Sequence, residues 1–379
     1  MLTFLSVALL IYGSMHLYVL GKVWLALPHS SALAAGLIVA GIVLTFSPFL
    51  LWYLERQNWH RFTVASAWAS YGWMGYLFLF LCIGLLFDLS HFLTALLHFN
   101  WPLSVSGEVR SIALLALAAL GYGLVEAYQI RVERITLTTP KLAGGPVTIA
   151  QLSDLHLGIM QGDYFLDRIV SQLQELKPDL VVATGDIVDG QGDNLVELAR
   201  HFRGYTPPLG AYAVTGNHEY YAGLESSLRF LHDAGFTVLR GEAARAGGIV
   251  LAGVDDHTTA ATGQPAHTDA RAALAAVGKD DFILLLKHQP VVDDGTRFDL
   301  QLSGHIHGGQ IFPFVYLTQL TYRVHTGLTE LAGGRKLYVS RGAGTWGPPI
   351  RLCAPPEIAL ITITRDGAAR EAPIRSSSE

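Results

Sequence analysis

Two regimes of hydrophobic spacing divide this chain near Arg131. Before it, apolar residues run almost unbroken through four windows: Leu2–Leu20, Leu33–Leu54, Ser66–Phe87 and Ser111–Tyr128. A helix needs about 20 mostly apolar residues to cross a bilayer. Each window is nearly free of charge, so the pattern predicts four membrane-spanning helices. The first lacks a basic leader and a clear small-residue cleavage site, and is expected to be retained. Trp24, Trp52, Tyr53, Trp59 and Trp101 fall near window ends, where amphipathic rings favour the interface. Between the third and fourth windows, Ser90–Phe99 predicts a short interfacial helix, with His91 and His98 as polar tips rather than a metal pair. His16 and Glu126 are expected to face the bundle interior.

Beyond Thr136 the spacing changes to short β-branched runs separated by amphipathic stretches. Val147–Leu152, Leu180–Thr184, Ala211–Thr215, Ile249–Gly253, Phe282–Leu286, Leu300–Ser303 and Lys336–Ser340 predict buried strands. Glu357–Thr364 alternates and predicts a half-buried final strand. Apolar residues at Phe165, Ile169, Leu173 and Leu176 mark a helix over Tyr164–Leu176, and Leu224–Ala234 is similar. This is α/β layering, sheets between helices. The expected organisation is a transmembrane region over 1–130, a linker over 131–146, a globular domain over 147–365 and a loose tail over 366–379.

Composition sharpens that division. Of 379 residues, 51% are hydrophobic and only 15% charged. A mean hydropathy of +0.35 agrees, and the apolar excess lies before Arg131. A formal charge of -5 argues against nucleic acid as a partner, since such proteins carry a basic face. The lipid bilayer is the partner the windows imply. Cys82 and Cys353 fall in different regions and are not expected to pair. Arg56, Arg61, Arg131, Arg134 and Lys141 outnumber Lys22 and Arg110 across the windows. Positive residues stay inside, so the globular domain is expected in the cytoplasm, on a multi-pass protein of the cell inner membrane.

Five polar motifs interrupt the globular half, each directly after an apolar run: Asp154-Leu155-His156, Gly185-Asp186-Ile187-Val188-Asp189, Gly216-Asn217-His218-Glu219, Lys287-His288-Gln289 and Gly304-His305-Ile306-His307. In layered α/β folds, ligands sit beyond the carboxyl ends of strands, where all five fall. Two divalent ions about 3.5–4 Å apart can clamp the attacking and leaving oxygens of a phosphoryl group. Such a site needs a bridging carboxylate and neutral nitrogen and oxygen ligands. Asp186 is the natural bridge. Asp154 and His156, two apart on an extended segment, can face one ion. Asn217 offers a carbonyl oxygen, and His288, His305 and His307 complete the two shells. The nucleophile is then a metal-bound hydroxide, His218 is placed to protonate the leaving oxygen, and Asp189 to orient that imidazole.

These motifs resemble the calcineurin-like metallophosphoesterases, whose pattern is D-x-H, G-D-x-x-D, G-N-H-D/E, H and G-H-x-H. All five blocks match, with Glu219 in the acidic place. The resemblance covers about Thr148 to Thr364. It implies a four-layer αββα sandwich, here preceded by four transmembrane helices. It implies two divalent ions such as manganese, iron or zinc, the ligand roles above, and His218 as the catalytic histidine. Gly304–Gln310, Ser340–Gly344 and Pro355–Ile358 look like the membrane-associated branch, transmembrane proteins with a metallophosphoesterase domain. That branch includes bacterial phosphodiesterases and hydrolases of UDP-2,3-diacylglucosamine.

The substrate is less determined. Ile311–Tyr322 is unusually apolar for a segment following a metal motif. Ordinary core and a lipid-facing lip, with Phe312 and Phe314, are both open. Asp255, Asp256 and His257 are expected in turn and surface roles. Arg341 and Arg351 are candidates for a bidentate grip on phosphate or for structural ion pairs. Three functions fit: hydrolysis of a lipid-linked phosphodiester or pyrophosphate, hydrolysis of soluble phosphoesters with the helices as anchor only, and a non-catalytic membrane sensor or scaffold.

Overall fold

The computed structural model describes residues 2–55, 60–142, 144–189, 195–258, 263 and 266–365. Arg56, Trp59 and the tail 366–379, which carried expectations about orientation, anchoring and looseness, lie outside the described residues. The chain divides into two compact units, Met1–Tyr128 with Trp346–Leu352, and Gln129–Thr345 with Cys353–Glu379.

The first unit holds α1 (Leu2–Ala26), α2 (Ser31–Leu54), α3 (His60–Leu96) and α4 (Val105–Tyr128). All four helices are long and apolar enough to cross a membrane. The separate interfacial helix expected over Ser90–Phe99 does not form, because α3 continues through Leu96. No Gly or Pro lies between Leu85 and Phe99 to interrupt its hydrogen-bond ladder. His16 is buried, and Trp73 Nε1 donates to its Nε2 at 2.9 Å. An indole nitrogen only donates, so His16 Nδ1 carries the proton and reaches the Tyr12 carbonyl at 2.9 Å. Both ring nitrogens are engaged, so His16 ties the bundle together as a neutral ring. Lys22 pairs with Asp88 and, at 2.7 Å, with Glu108. Within the same unit Ile350 packs on two glycines. A Cβ at Gly75 or Gly123 would meet its side chain at 3.1 or 3.0 Å.

The second unit has two six-stranded sheets. One has the order β1 (Arg131–Thr139), β12 (Glu357–Arg365), β2 (Val147–Leu152), β3 (Leu180–Thr184), β4 (Ala211–Val214), β5 (Phe236–Val238). The other has the order β10 (Gly327–Glu330), β11 (Lys336–Val339), β9 (Leu300–Ser303), β8 (Phe282–Leu286), β7 (Ile249–Gly253), β6 (Glu242–Ala246). Strands β2 to β5 are parallel, as are β7, β8, β9 and β11. Parallel strands are covered on both faces, which is why β3 and β8 read as unbroken apolar runs.

One core cluster joins Ile149, Val182 and Ile361 of the first sheet to Leu251, Leu284 and Leu302 of the second, so the sheets face each other. On the outer face of the first sheet lie Ile169 and Leu173 of α5 (Asp163–Leu176), Leu198 of α6 (Leu195–Phe202) and Phe230 of α8 (Leu224–Asp233). On that of the second sheet lies Ala270 of α9 (Ala270–Ala273). The result is the αββα sandwich. The stretch expected to be a linker is largely strand. Residues 131–139 pair in parallel with β12 along their whole length, from Arg131 with Glu357 to Thr139 with Arg365.

Candidate metal centre

The five motifs follow β2, β3, β4, β8 and β9 in turn, and their side chains converge. Donor atoms of Asp154, His156 and His307 lie within 4.8 Å of one another, as do those of His156, Asp189 and His218, and those of Asp186, His288 and His305. His156 Nε2 is 3.0 Å from His307 Nε2, and His288 Nε2 is 3.0 Å from Asp186 Oδ2. His305 Nδ1 lies 3.2 Å from His288 Nε2. Asn217 opens α7 (Asn217–Ala222), and its buried Oδ1 has no donor among the described residues.

Tight backbone turns aim these groups. Asp154, His156, Asp186, His305 and His307 have φ of 54°, 49°, 51°, 72° and 50°. Left-handed backbone costs a non-glycine residue about 1–3 kcal/mol, so the packing around these loops must hold it. Asp154 and His156 are therefore not on an extended segment as expected, but in a turn that brings both inward. Close approach dictates two of the flanking glycines. A Cβ at Gly216 would sit 2.2 Å from Asp186 Oδ1, and one at Gly304 2.2 Å from Asp154 Oδ2.

Charge is distributed unevenly. Burial opposes ionisation of Asp186, but the charges of His288 and His218 outweigh it and hold its carboxyl well below the usual range. Burial raises Asp154. Asp189 is lowered against the effect of burial by hydrogen bonds from His156 and His218. Burial also opposes the charge on His218, yet Asp186 and Asp189 push its imidazole up to about 9. Burial and the charge on His288 bring His305 down to about 4. His218 Nδ1 is engaged by Asp189 Oδ1.

Glu219 does more than fill an acidic position in a motif. Its carboxylate is fully buried and accepts the backbone N–H of Asp186 at 3.0 Å, Ile187 at 2.7 Å, Val188 at 3.0 Å and Gly216 at 2.7 Å. It therefore clamps the Asp186 loop to the Asn217 loop. The local signal was its place three residues after the helix cap Gly216; the other three donors come from a different motif.

Neither arginine is placed to grip phosphate. Arg341 pairs with Glu133 and Glu357 at 2.5 Å each and donates to the Pro355 carbonyl. Arg351 is completely buried, in the segment that belongs to the helical unit. Asp255 and Asp256, expected at the surface, are buried. Phe312 and Phe314 are 43% and 47% exposed. They lead into α10 (Val315–Tyr322), which has no buried residue, while Ile311 ahead of them is buried and Tyr322 packs against a core cluster. Tyr322 at its end places its hydroxyl 2.6 Å from His305 Nε2.

A double-sheet α/β domain with Asp, His and Asn side chains gathered beyond its parallel strands belongs to the metal-centred phosphoester hydrolase class. The family model for calcineurin-like phosphoesterases matches residues 147–309. An uncharacterized metallophosphoesterase of Aquifex aeolicus is 43% identical over 251 residues, 65% of this chain and 96% of the relative. The transmembrane protein with metallophosphoesterase domain of Danio rerio is 36% identical over 279 residues, 68% of this chain and 64% of the relative. An uncharacterized metallophosphoesterase of Helicobacter pylori strain J99 is 35% identical, over 65% of this chain and 68% of the relative. The chain belongs to the calcineurin-like metallophosphoesterase family.

Proposed function

We propose that this protein is a membrane-anchored phosphoesterase that hydrolyses a phosphodiester or pyrophosphate bond with two divalent ions, of which manganese, iron and zinc are the candidates. The observation that carries this reading is the meeting of six groups in two clusters at the strand ends, Asp154, His156 and His307 in one and Asp186, His288 and His305 in the other. The donor set fits such ions. It offers carboxylate oxygens and imidazole nitrogens without Cys, suited to hard or borderline cations. The Asn217 Oδ1, buried and without a donor among the described residues, is an acceptor that a cation or its water would satisfy. When bound, such ions neutralise phosphoryl oxygens and acidify a water to serve as nucleophile.

The chain's own residues supply the rest. Asp186 lies 3.0 Å from His288 on one oxygen and accepts the backbone N–H of His218 at 2.8 Å on the other. Asp189 fixes the His218 ring, whose high proton affinity suits a general acid. The exposed aromatic and aliphatic side chains of Phe312, Phe314, Leu317 and Leu320 support a lipid-linked substrate, with UDP-2,3-diacylglucosamine-type molecules as one candidate. The arginine and lysine bias after α4 supports a cytoplasmic catalytic domain.

The test is turnover of bis(4-nitrophenyl) phosphate by detergent-purified protein, with metal analysis. Wild type should carry two divalent ions per chain, need them, and lose activity to chelators. Asp186→Ala should lose both metal and activity. Full activity from metal-free protein would reject the reading.

A further inference from the structure

One acidic group beside the metal centre has no part in that chemistry. Asp256, just after β7, is 2% exposed. Its Oδ1 accepts three hydrogen bonds, from Thr258 N at 2.9 Å, Thr258 Oγ1 at 2.6 Å and Gln289 Nε2 at 2.9 Å. Its Oδ2 is buried and has no donor among the described residues. Asp255, next to it, is the contrast. Both its oxygens are taken, by Thr215, by Arg240 and by the His267 N–H. A buried carboxylate oxygen without a donor is costly, and the fold has met that cost at one of two adjacent acids only.

The contacts of Asp256 place it at the site. Gln289 directly follows His288 in the chain. Thr258 and Asn217 hold the Tyr221 hydroxyl, and the Tyr221 ring lies edge-on to His218 with centroids 5.3 Å apart. Asp256 is thus bonded to the His288 loop through Gln289 and to Thr258 on its own loop. Its charge reaches outward as well. Burial raises the hydroxyl pKa of Tyr221 and Tyr322, and Asp256 is the next cause in each. Those two rings stand beside His218 and His305. Asp256 therefore stands beside the Asp186–His288–His305 group, where its charge also acts on His288 and His305.

We propose that Asp256 is a specificity-determining residue, its Oδ2 accepting a hydrogen bond from a hydroxyl or ammonium group on the alcohol moiety of the substrate. This rests on the phosphoesterase reading and narrows it, to phosphodiesters of polyols or amino alcohols. A substituent with no donor leaves the oxygen unsatisfied, and an anionic one is repelled. A water on one of the ions would offer the same donor chemistry from a different source, and the experiment separates the two.

The experiment uses full-length, Mn²⁺-loaded protein and four 4-nitrophenyl phosphodiesters, whose second alcohol is ethanol, choline, ethanolamine or 1,3-propanediol. Choline carries the charge without an N–H donor. Wild type should favour the ethanolamine and propanediol esters over the ethyl ester by about tenfold in kcat/KM, the scale of one hydrogen bond to a charged group. The choline ester should show no such gain. Asp256→Asn keeps the Oδ1 acceptor and turns Oδ2 into a donor, so its ethanolamine-to-ethyl ratio should fall to near one with metal content unchanged. Asp256→Ala should behave likewise. A wild-type ratio near one, a choline ester as good as ethanolamine, or a ratio that survives in Asp256→Asn would each overturn the assignment. So would an equal loss on all four esters or a loss of metal, which would make Asp256 a partner of metal water or a prop for the His288 loop. If metal-loaded wild type hydrolysed none of the four, the phosphoesterase reading itself would fall.

Discussion

His218 is gripped on its Nδ1 edge by Asp189, and although it shares a donor cluster with His156 and Asp189, it belongs to neither cluster that holds Asp154 or Asp186. Replacing it should therefore separate chemistry from metal binding. His218→Ala is expected to keep its metal and to lose roughly 10²–10⁴-fold in kcat, the usual scale for general acid catalysis; normal turnover by the variant would refute the assigned role. Glu219 should behave in the opposite way. Its removal strands four buried N–H groups, each worth about 1–3 kcal/mol when left unsatisfied. Glu219→Ala is expected to lower the thermal midpoint and weaken metal binding together, with Glu219→Gln intermediate. Thermal melts and metal titration check this, and an unchanged midpoint would mean the clamp is not structural. The principal polar residues of the centre were legible because each motif is short and sits after a recognisable strand. The clamp made by Glu219 and the burial of Asp256 were not, because they depend on other loops, and spacing along one segment carries no information about what another segment brings.

Elements differed in legibility for a related reason. Central parallel strands bury both faces and announce themselves as apolar runs. Edge strand β1 mixes charged and apolar residues and is largely exposed, so it resembles a linker until β12 pairs with it. Helix α10 is the element whose role most needs testing. Its segment was readable as core or as lip, and Phe312, Phe314, Leu317 and Leu320 are exposed while Ile311 and Tyr322 at its ends pack inward. Burying apolar area is worth about 25 cal/mol per Å², so an acyl chain covering these side chains would gain several-fold or more in affinity. Replacing Phe312, Phe314 and Leu317 with Ser is expected to raise KM for a lipid-linked phosphodiester while sparing bis(4-nitrophenyl) phosphate. Equal effects on both substrates would favour a soluble substrate instead.

At the scale of the molecule, the chain is a helical unit and a catalytic unit with different solvents written into their composition. The positive residues that follow α4 predict that a reporter fused after Glu379 works only if it functions in the cytoplasm; a signal from the other side would reverse the orientation. The division between units was legible in hydropathy alone, but its return path was not. Seven residues near the far end of the chain, Trp346–Leu352, belong with the helices, and nothing in their composition marks them. Arg351 donates its backbone N–H to Gly123 at 3.0 Å, and Ile350 fills the space those glycines leave. Proteins are made from the N-terminus. The four helices therefore leave the ribosome long before the piece that completes their packing. The oldest part of the molecule is the last to be finished, and a nascent chain arrested anywhere before Trp346 would carry a bundle with its glycine seats still waiting.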